Sequence, residues 1–116
     1  MYQGVVTGEI TLERWVELTS TTPARMFGLH GKKGVIAPGA DADVVVYDPA
    51  GHTSIGIGEG RTHHMNMDHS AWEGYEIDGH VDVVISRGDV LVSDNTFHGR
   101  AGHGRYLKRG LTQYLV

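Results

Sequence analysis

The residue types best suited to metal chemistry lie close together in the middle of the chain. They are His63, His64, Asp68 and His69. Imidazole and carboxylate groups are competent zinc ligands at short spacing. A metal site also needs ligands that converge and an outer shell that orients them, whereas adjacent histidines on a strand point to opposite faces. The pattern therefore favours a polar loop over a metal site.

The tripeptide Arg87-Gly88-Asp89 matches a cell-adhesion motif, but it separates two β-rich segments and is better explained as a hairpin turn. His98 and His103 lie among glycines near the end of the chain, which favours solvent-facing or interface hydrogen bonds. No role is predicted for the histidines in turn-like segments, which are His30, His52 and His80.

The composition is that of a small globular protein. A chain of 116 residues accommodates one small domain or part of a larger one, and 40% apolar with 21% charged residues is ordinary. The formal charge of -4 argues against a nucleic-acid partner, and no apolar run approaches the roughly 20 residues that cross a bilayer. The absence of cysteine excludes disulfides and thiolate metal sites. We expect a cytoplasmic protein without a membrane span or secretory signal.

Helical patterns occupy the first quarter of the chain. Thr11 can cap a helix over 12–19, in which apolar residues recur at helical spacing and predict one buried face. A second short helix is predicted over 23–27, with a proline at its first position and the preceding threonine as its cap. Gly28 or Gly31 can end it by adopting a left-handed backbone.

Two β-rich regions follow the helices. Residues 34–39 and the β-branched run 44–47, closed by Asp48-Pro49, predict two strands around a turn. A clearer hairpin is predicted from residues 81–86 and 90–93, because a glycine between them permits a tight turn.

The remaining segments are expected to be less regular. Residues 50–60 and 61–73 predict loops with at most one irregular strand, residues 97–106 predict an extended tail, and 107–115 is a candidate helix. Four aromatic residues are candidates either for anchors on a neighbouring surface or for internal core, and the sequence leaves both alternatives open. They are Trp72, Tyr75, Tyr106 and Tyr114.

These elements predict an α+β fold in which helices precede a small antiparallel β unit. Two hairpins offer few apolar positions for a closed core, and sheets this small need a partner layer. We therefore expect the natural domain to contain more chain, and these residues alone to expose an apolar surface.

Residues 33–49 read Lys-Gly-Val-Ile-Ala-Pro-Gly-Ala-Asp-Ala-Asp-Val-Val-Val-Tyr-Asp-Pro and resemble the start of the C-terminal strand pair of the amidohydrolase superfamily. Residues 18–29 look like the last helices of that superfamily's (β/α)8 barrel. The segments 69–76 and 85–90 and the tail 97–109 are similar to dihydropyrimidinases and hydantoinases. Allantoinases share the layout, but the Gly-x-Gly-Arg-aromatic-Leu-Lys-Arg tail favours the hydantoinase side.

The resemblance implies a metal-dependent hydrolase that opens a dihydropyrimidine or hydantoin ring to an N-carbamoyl amino acid. In that family two divalent metals, usually zinc, hold the attacking hydroxide. The family's metal ligands and catalytic aspartate lie upstream of the segments matched here. The resemblance therefore implies that this chain has no catalytic, cofactor-binding or metal-ligating residue and is inactive alone.

The resemblance also divides the chain into three parts. Residues 1–32 would be the terminal helical part of the barrel, 33–96 part of the small antiparallel β-sandwich, and 97–116 the C-terminal tail. The partners would be the remainder of the barrel and sandwich, in a dimer or tetramer. The alternatives are a non-catalytic structural or oligomerisation module derived from such an enzyme, and a fragment of an allantoinase.

Overall fold

The computed structural model describes residues 1–58 and 63–114 as a helical region followed by an antiparallel sheet, which confirms the predicted α+β class. Residues 59–62, which fall in the predicted loops, and residue 115 of the candidate helix lie outside the described residues. No helix within the described ranges is long and apolar enough to cross a membrane. The helices are α1 (Gln3–Val6), α2 (Leu12–Val16) and α3 (Thr22–Met26).

The sheet contains four antiparallel strands in the order β1-β2-β3-β4, so each strand pairs with the next one along the chain. The strands are β1 (Val44–Ser54), β2 (Glu76–Ser86), β3 (Asp89–Ser93) and β4 (Thr96–Phe97).

Thr11 begins α2, as predicted. Its backbone is extended, with ψ of 164°, and its hydroxyl accepts a hydrogen bond from the N–H of Arg14 at 3.2 Å. This bond satisfies a donor that a helix start leaves unpaired. The helical run ends at Gly28, whose φ of +64° is the left-handed conformation predicted there. The face predicted to be buried is covered in part: Trp15 packs against other aromatic rings, whereas Leu12 and Val16 are both about half exposed.

The predicted break between two separate helices is wrong. Glu17–Thr21 form a π-helical turn that leads directly into α3. Thr22, predicted as the cap of the second helix, is itself helical, and the residue before it has a right-handed helical backbone without a capping bond. Pro23 is tolerated because it lies in the first turn of α3, next to the wider π-helical turn.

The first predicted strand pair is also wrong. Residues 34–43 contain turns, bends and irregular backbone instead of a strand, because Gly34 and Gly39 have φ of +75° and +89°. β1 begins at Val44, as predicted, but it continues beyond the predicted end at Asp48-Pro49. The pairing with β2 therefore overrides the local signal that would end the strand.

A bulge carries β1 past its proline. Between Asp48 and His52, three residues of β1 lie opposite a single residue of β2. The bulge removes Pro49 from the regular ladder, where its missing N–H would leave a partner unpaired. Oδ1 of Asp48 accepts a hydrogen bond from the N–H of Ala50 at 2.9 Å, which stabilises the turn inside the bulge.

The predicted hairpin is confirmed between β2 and β3. Arg87 and Gly88 form its turn with φ of +50° and +87°, the sign required for tight turns that match the twist of paired strands. A second turn at Asp94 and Asn95, with φ of +49° and +53°, leads to β4, a strand that the sequence did not predict.

The candidate helix over 107–115 is wrong for its described residues. Residues 107–114 contain turns, a bend and irregular backbone. Their backbone groups bond to α3 instead; the N–H of Gln113, for example, donates to the carbonyl of Arg25 at 2.9 Å. Residues 98–106 are irregular apart from a short turn.

The chain closes very little core. Ala24, at 6% exposure, is the one buried apolar residue among those described. The accessible surface is 8440 Å², against about 6,200 Å² for a typical folded monomer of this mass. Val45 and Val46 are neighbours on β1 and point to opposite faces of the sheet, yet they are 57% and 45% exposed. Each face of β1 therefore exposes a valine side chain, which confirms the expected apolar surface.

Candidate functional site

Asp68 and His69 form an exposed hydrogen-bonded pair in the segment between β1 and β2. Nδ1 of His69 lies 2.9 Å from Oδ1 of Asp68. The hydrogen bond from His69 lowers the pKa of Asp68 below its ordinary value. His64 stacks instead against the ring of Phe97, with 6.4 Å between the ring centroids.

The histidine segment has the geometry of a polar loop. Residues 63–70 contain bends and irregular backbone, as the sequence predicts. Within residues 1–58 and 63–114, no three histidine, cysteine, aspartate or glutamate side chains are placed to hold a metal ion. Protein zinc sites use three or four converging side chains. The described residues of this segment therefore form a polar loop without three converging donors.

One face of the sheet carries a concave apolar surface with a volume of about 370 Å³. Two of its polar side chains are paired with each other: Oγ1 of Thr53 donates to the carbonyl of Gly79 at 2.7 Å and lies 3.3 Å from Nδ1 of His80. A hollow with mainly aliphatic walls is suited to packing against another apolar layer. Its wall includes Tyr47, Ile55, Ile77, Val84 and Val92.

Three aromatic rings join the helices to the sheet, and we call them the aromatic joint. Tyr2, Trp15 and Tyr47 have centroid distances of 4.7 to 5.1 Å in tilted or edge-on arrangements. The hydroxyl of Tyr47 donates to the carbonyl of Asp78 at 3.1 Å. Burial, together with the neighbouring Tyr2 and Asp78, raises the pKa of Tyr47. The side chain of Gln3 adds two hydrogen bonds, to the backbone N–H and the carboxylate of Asp78.

The four aromatic residues left open by the sequence are all exposed, so the internal-core alternative is wrong for them in this chain. Tyr106 is 90% exposed, and Trp72 and Tyr75 pack only edge to face on each other, at 5.7 Å between centroids. Tyr114 is half exposed. These rings are available to pack on a surface outside the chain.

The sequence profile of the amidohydrolase family matches residues 1–91. This chain belongs to the amidohydrolase family. It is 53% identical over all 116 residues to the D-hydantoinase of Streptomyces coelicolor, of which it covers 24%. It is also 50% identical to the D-phenylhydantoinase of Escherichia coli O1:K1 over 106 residues. This match covers 91% of the present chain and 22% of the Escherichia coli protein.

Solved structures show the same relationship for this amidohydrolase chain. The D-hydantoinase of Bacillus sp. AR9 matches 94% of the chain at 43% identity with a TM-score of 0.84. The dihydropyrimidinase of Brevibacillus agri matches 95% at 44% identity with a TM-score of 0.83. In each case the chain covers 23% of the solved protein, so it spans about a quarter of these relatives.

A charged cluster fixes the amidohydrolase motif at 33–49 to the β2–β3 turn. Asp41 pairs with Nζ of Lys32 at 2.7 Å and of Lys33 at 2.9 Å, and Lys33 also pairs with Asp43. Oδ1 of Asp43 accepts from the N–H of Arg87 at 2.8 Å. Burial acts to lower the pKa of Lys33, but its hydrogen bonds with the two aspartates raise the pKa overall. We call these side chains the Lys33 cluster.

The Lys33 cluster is expected to weaken in acid. Burial acts to raise the pKa of Asp43, but hydrogen bonds from Lys33 and from the N–H of Arg87 bring this pKa below its ordinary 3.8. A carboxyl group with a lowered pKa stabilises the fold above its ordinary pKa and loses that contribution as the pH falls through the folded value. Stability measured by urea denaturation should therefore fall below about pH 4.

Asp43→Asn should reduce this acid sensitivity, because asparagine keeps an acceptor for Arg87 but carries no charge. At pH 7 it should cost at most about 1 kcal/mol, since partly exposed ion pairs contribute little. Asp82→Asn, at an exposed position on β2, is the matched control. If the two variants show the same dependence on pH, Asp43 does not carry the effect.

The Lys33 cluster and the pair formed by Gln3 and Asp78 were not predicted from the sequence. Two lysines before a turn-rich segment and two aspartates after it were a usable signal for ion pairing across the turn. No local signal exists for Gln3 and Asp78, because the fold alone brings these distant positions together.

Proposed function

We propose that this chain is the C-terminal portion of a metal-dependent dihydropyrimidinase or hydantoinase. The complete enzyme would hydrolyse the cyclic amide bond of a dihydropyrimidine or hydantoin to give an N-carbamoyl amino acid. The observation that carries this proposal is 53% identity to a D-hydantoinase over all 116 residues, at 24% of that relative's length. The valine exposed on each face of β1 supports it, because a self-contained domain would bury such side chains.

In this proposal the chain has three structural roles. Residues 1–32 end the barrel, residues 33–96 form part of the small β-sandwich, and residues 97–116 are the tail. The apolar hollow and the exposed aromatic rings would pack on the remainder of the barrel and sandwich. The complete enzyme would be a cytoplasmic dimer or tetramer.

The chemistry of the proposed enzyme would be located outside these residues. The two divalent metals implied by the family, usually zinc, would activate water for attack on the ring carbonyl. In this proposal the residues that hold the metals belong to the remainder of the enzyme. The aromatic joint and the Lys33 cluster would instead hold the helical part and the sheet in a fixed arrangement.

Hydrolysis of dihydrouracil and hydantoin by the purified chain with added zinc tests whether the catalytic chemistry lies outside these residues. We expect no turnover and no stoichiometric metal in the same sample. Turnover abolished by a chelator would contradict the proposal and would direct attention to the histidine segment at 63–69. Matched variants with His64 or His69 replaced by alanine would then identify the ligands.

A non-catalytic structural or oligomerisation module is the second candidate, and the four exposed aromatic rings favour it. A module should form a defined oligomer that covers these rings, whereas a portion of an enzyme should associate without a fixed size and bind hydrophobic dye. A fragment of an allantoinase is the remaining alternative. Faster opening of allantoin than of hydantoin by the complete enzyme would favour it.

A further inference from the structure

The C-terminal tail is attached to the β2–β3 turn through His103. Nη2 of Arg87 donates a hydrogen bond to the carbonyl oxygen of His103. Nδ1 of His103 lies 3.6 Å from Oδ2 of Asp89, at the other side of the same turn, and the His103 side chain is largely buried. Arg87 therefore holds the backbone of one tail residue, and Asp89 lies beside the ring of the same residue.

Further along, the tail is attached to the C-terminal end of α3. The N–H of Gly110 donates to the carbonyl of Gly28 at 3.0 Å, and the N–H of Gln113 donates to the carbonyl of Arg25 at 2.9 Å. The side chain of Gln113 accepts from the N–H of His30 at 3.2 Å. Carbonyl groups at a helix end need donors from elsewhere, because the helix itself supplies none.

Two side-chain contacts strengthen this attachment. The hydroxyl of Tyr114 donates to Oγ1 of Thr22 at 3.1 Å, and the guanidinium of Arg109 lies 5.7 Å from the centre of the Phe27 ring. That separation permits a cation–π attraction. The tail runs alongside α3 in the opposite direction, since later tail residues contact earlier helix residues.

We propose that residues 103–114 form a strap that fixes the orientation of α3 relative to the sheet. One end is held by the β2–β3 turn and the other by α3. Neither attachment uses the aromatic joint, and the strap therefore adds an independent connection between helices and sheet. This inference concerns the chain itself and stands whether or not the proposed enzyme is correct.

Two glycines provide a matched test. Gly28 has φ of +64°, within the left-handed region that alanine can adopt, whereas Gly31 has φ of +91°, outside it. Backbone strain alone therefore predicts that Gly31→Ala is the more damaging change. A Cβ at Gly28 would overlap the carbonyl of Gly110, but a Cβ at Gly31 meets nothing within 4 Å. The strap predicts the reverse order of damage.

Amide hydrogen exchange followed by NMR on the full chain gives the readout. Gly28→Ala should accelerate exchange of the Gly110 and Gln113 amides at least about tenfold, and Gly31→Ala should leave them unchanged. Equal acceleration in both variants, or none in either, would overturn the strap.

If Gly28→Ala does not fold, a chain that ends at Arg109 is measured in its place. Exchange at the Leu29 amide should then rise about tenfold, and unchanged exchange would overturn the inference.

The attachment to the sheet has its own test. Arg87→Met removes the bond to His103 while keeping an unbranched side chain. If the strap is one unit, exchange of the Gly110 amide should accelerate at least about threefold. Arg100→Met, at an exposed position in the tail, is the control and should change nothing. Unchanged exchange in Arg87→Met would show two independent contacts and would overturn the strap.

Discussion

Gly79→Ala is expected to lower the free energy of unfolding by about 3 kcal/mol. Gly79 has φ of +86°, which disfavours a side chain, and a Cβ there would overlap the hydroxyl of Tyr47. Tyr47 cannot move aside freely, because its ring packs against the other two rings of the aromatic joint. The substitution must therefore displace the Tyr47 ring from Tyr2 and Trp15 or shift the backbone of β2. Urea denaturation followed by tryptophan fluorescence measures the loss.

Gly74→Ala is the matched control for this prediction. Gly74 also has a positive φ, at +78°, but a Cβ there meets nothing within 4 Å. It should therefore cost only the backbone strain, about 1 kcal/mol. Equal losses in the two variants would show that Tyr47 does not make the site intolerant of a side chain.

The isolated chain is expected to associate at concentrations where a closed domain stays monomeric. Its apolar hollow and a valine on each face of β1 are open to solvent, and exposed apolar patches of this kind drive association. Light scattering over a concentration series, with hydrophobic dye binding on the same samples, measures this. A clean monomer at high concentration without dye binding would contradict the open-surface account.

Val45→Lys should weaken this association. Burying one valine side chain stabilises an interface by about 1.5 kcal/mol or more, so its loss should raise the apparent dissociation constant at least about tenfold. Asn66→Lys adds the same charge at an exposed loop position and should have little effect. A similar weakening in both variants would assign the effect to charge and not to the apolar face.

The parts of the fold that local chemistry controls were predictable. The hairpin between β2 and β3 was found because Gly88 permits the positive φ that its turn requires. The start of α2 was found because a threonine hydroxyl caps it. The parts controlled by long-range pairing were not. β1 passes through Pro49 because β2 supplies a partner on both sides of the bulge, and no local pattern contains that information.

In the candidate site, too, local features were predictable from the sequence and long-range contacts were not. The histidine segment was correctly predicted to be a polar loop from its composition. The aromatic joint depends on the contact of Tyr47 with rings from α2 and from the start of the chain. The bond between Arg87 and His103 likewise joins a turn to a tail with no intervening pattern. Such contacts are decided by how the elements pack, so no local pattern in the sequence reveals them.

The most direct test of the central claim is a graft into the D-hydantoinase of Streptomyces coelicolor, in which this chain replaces the matching segment. The measured quantity is the rate of hydantoin hydrolysis by the purified, folded graft, with its metal content determined in the same sample. If the chain is part of such an enzyme, the graft retains its metal and hydrolyses hydantoin. A folded graft with full metal content and no turnover would contradict the claim.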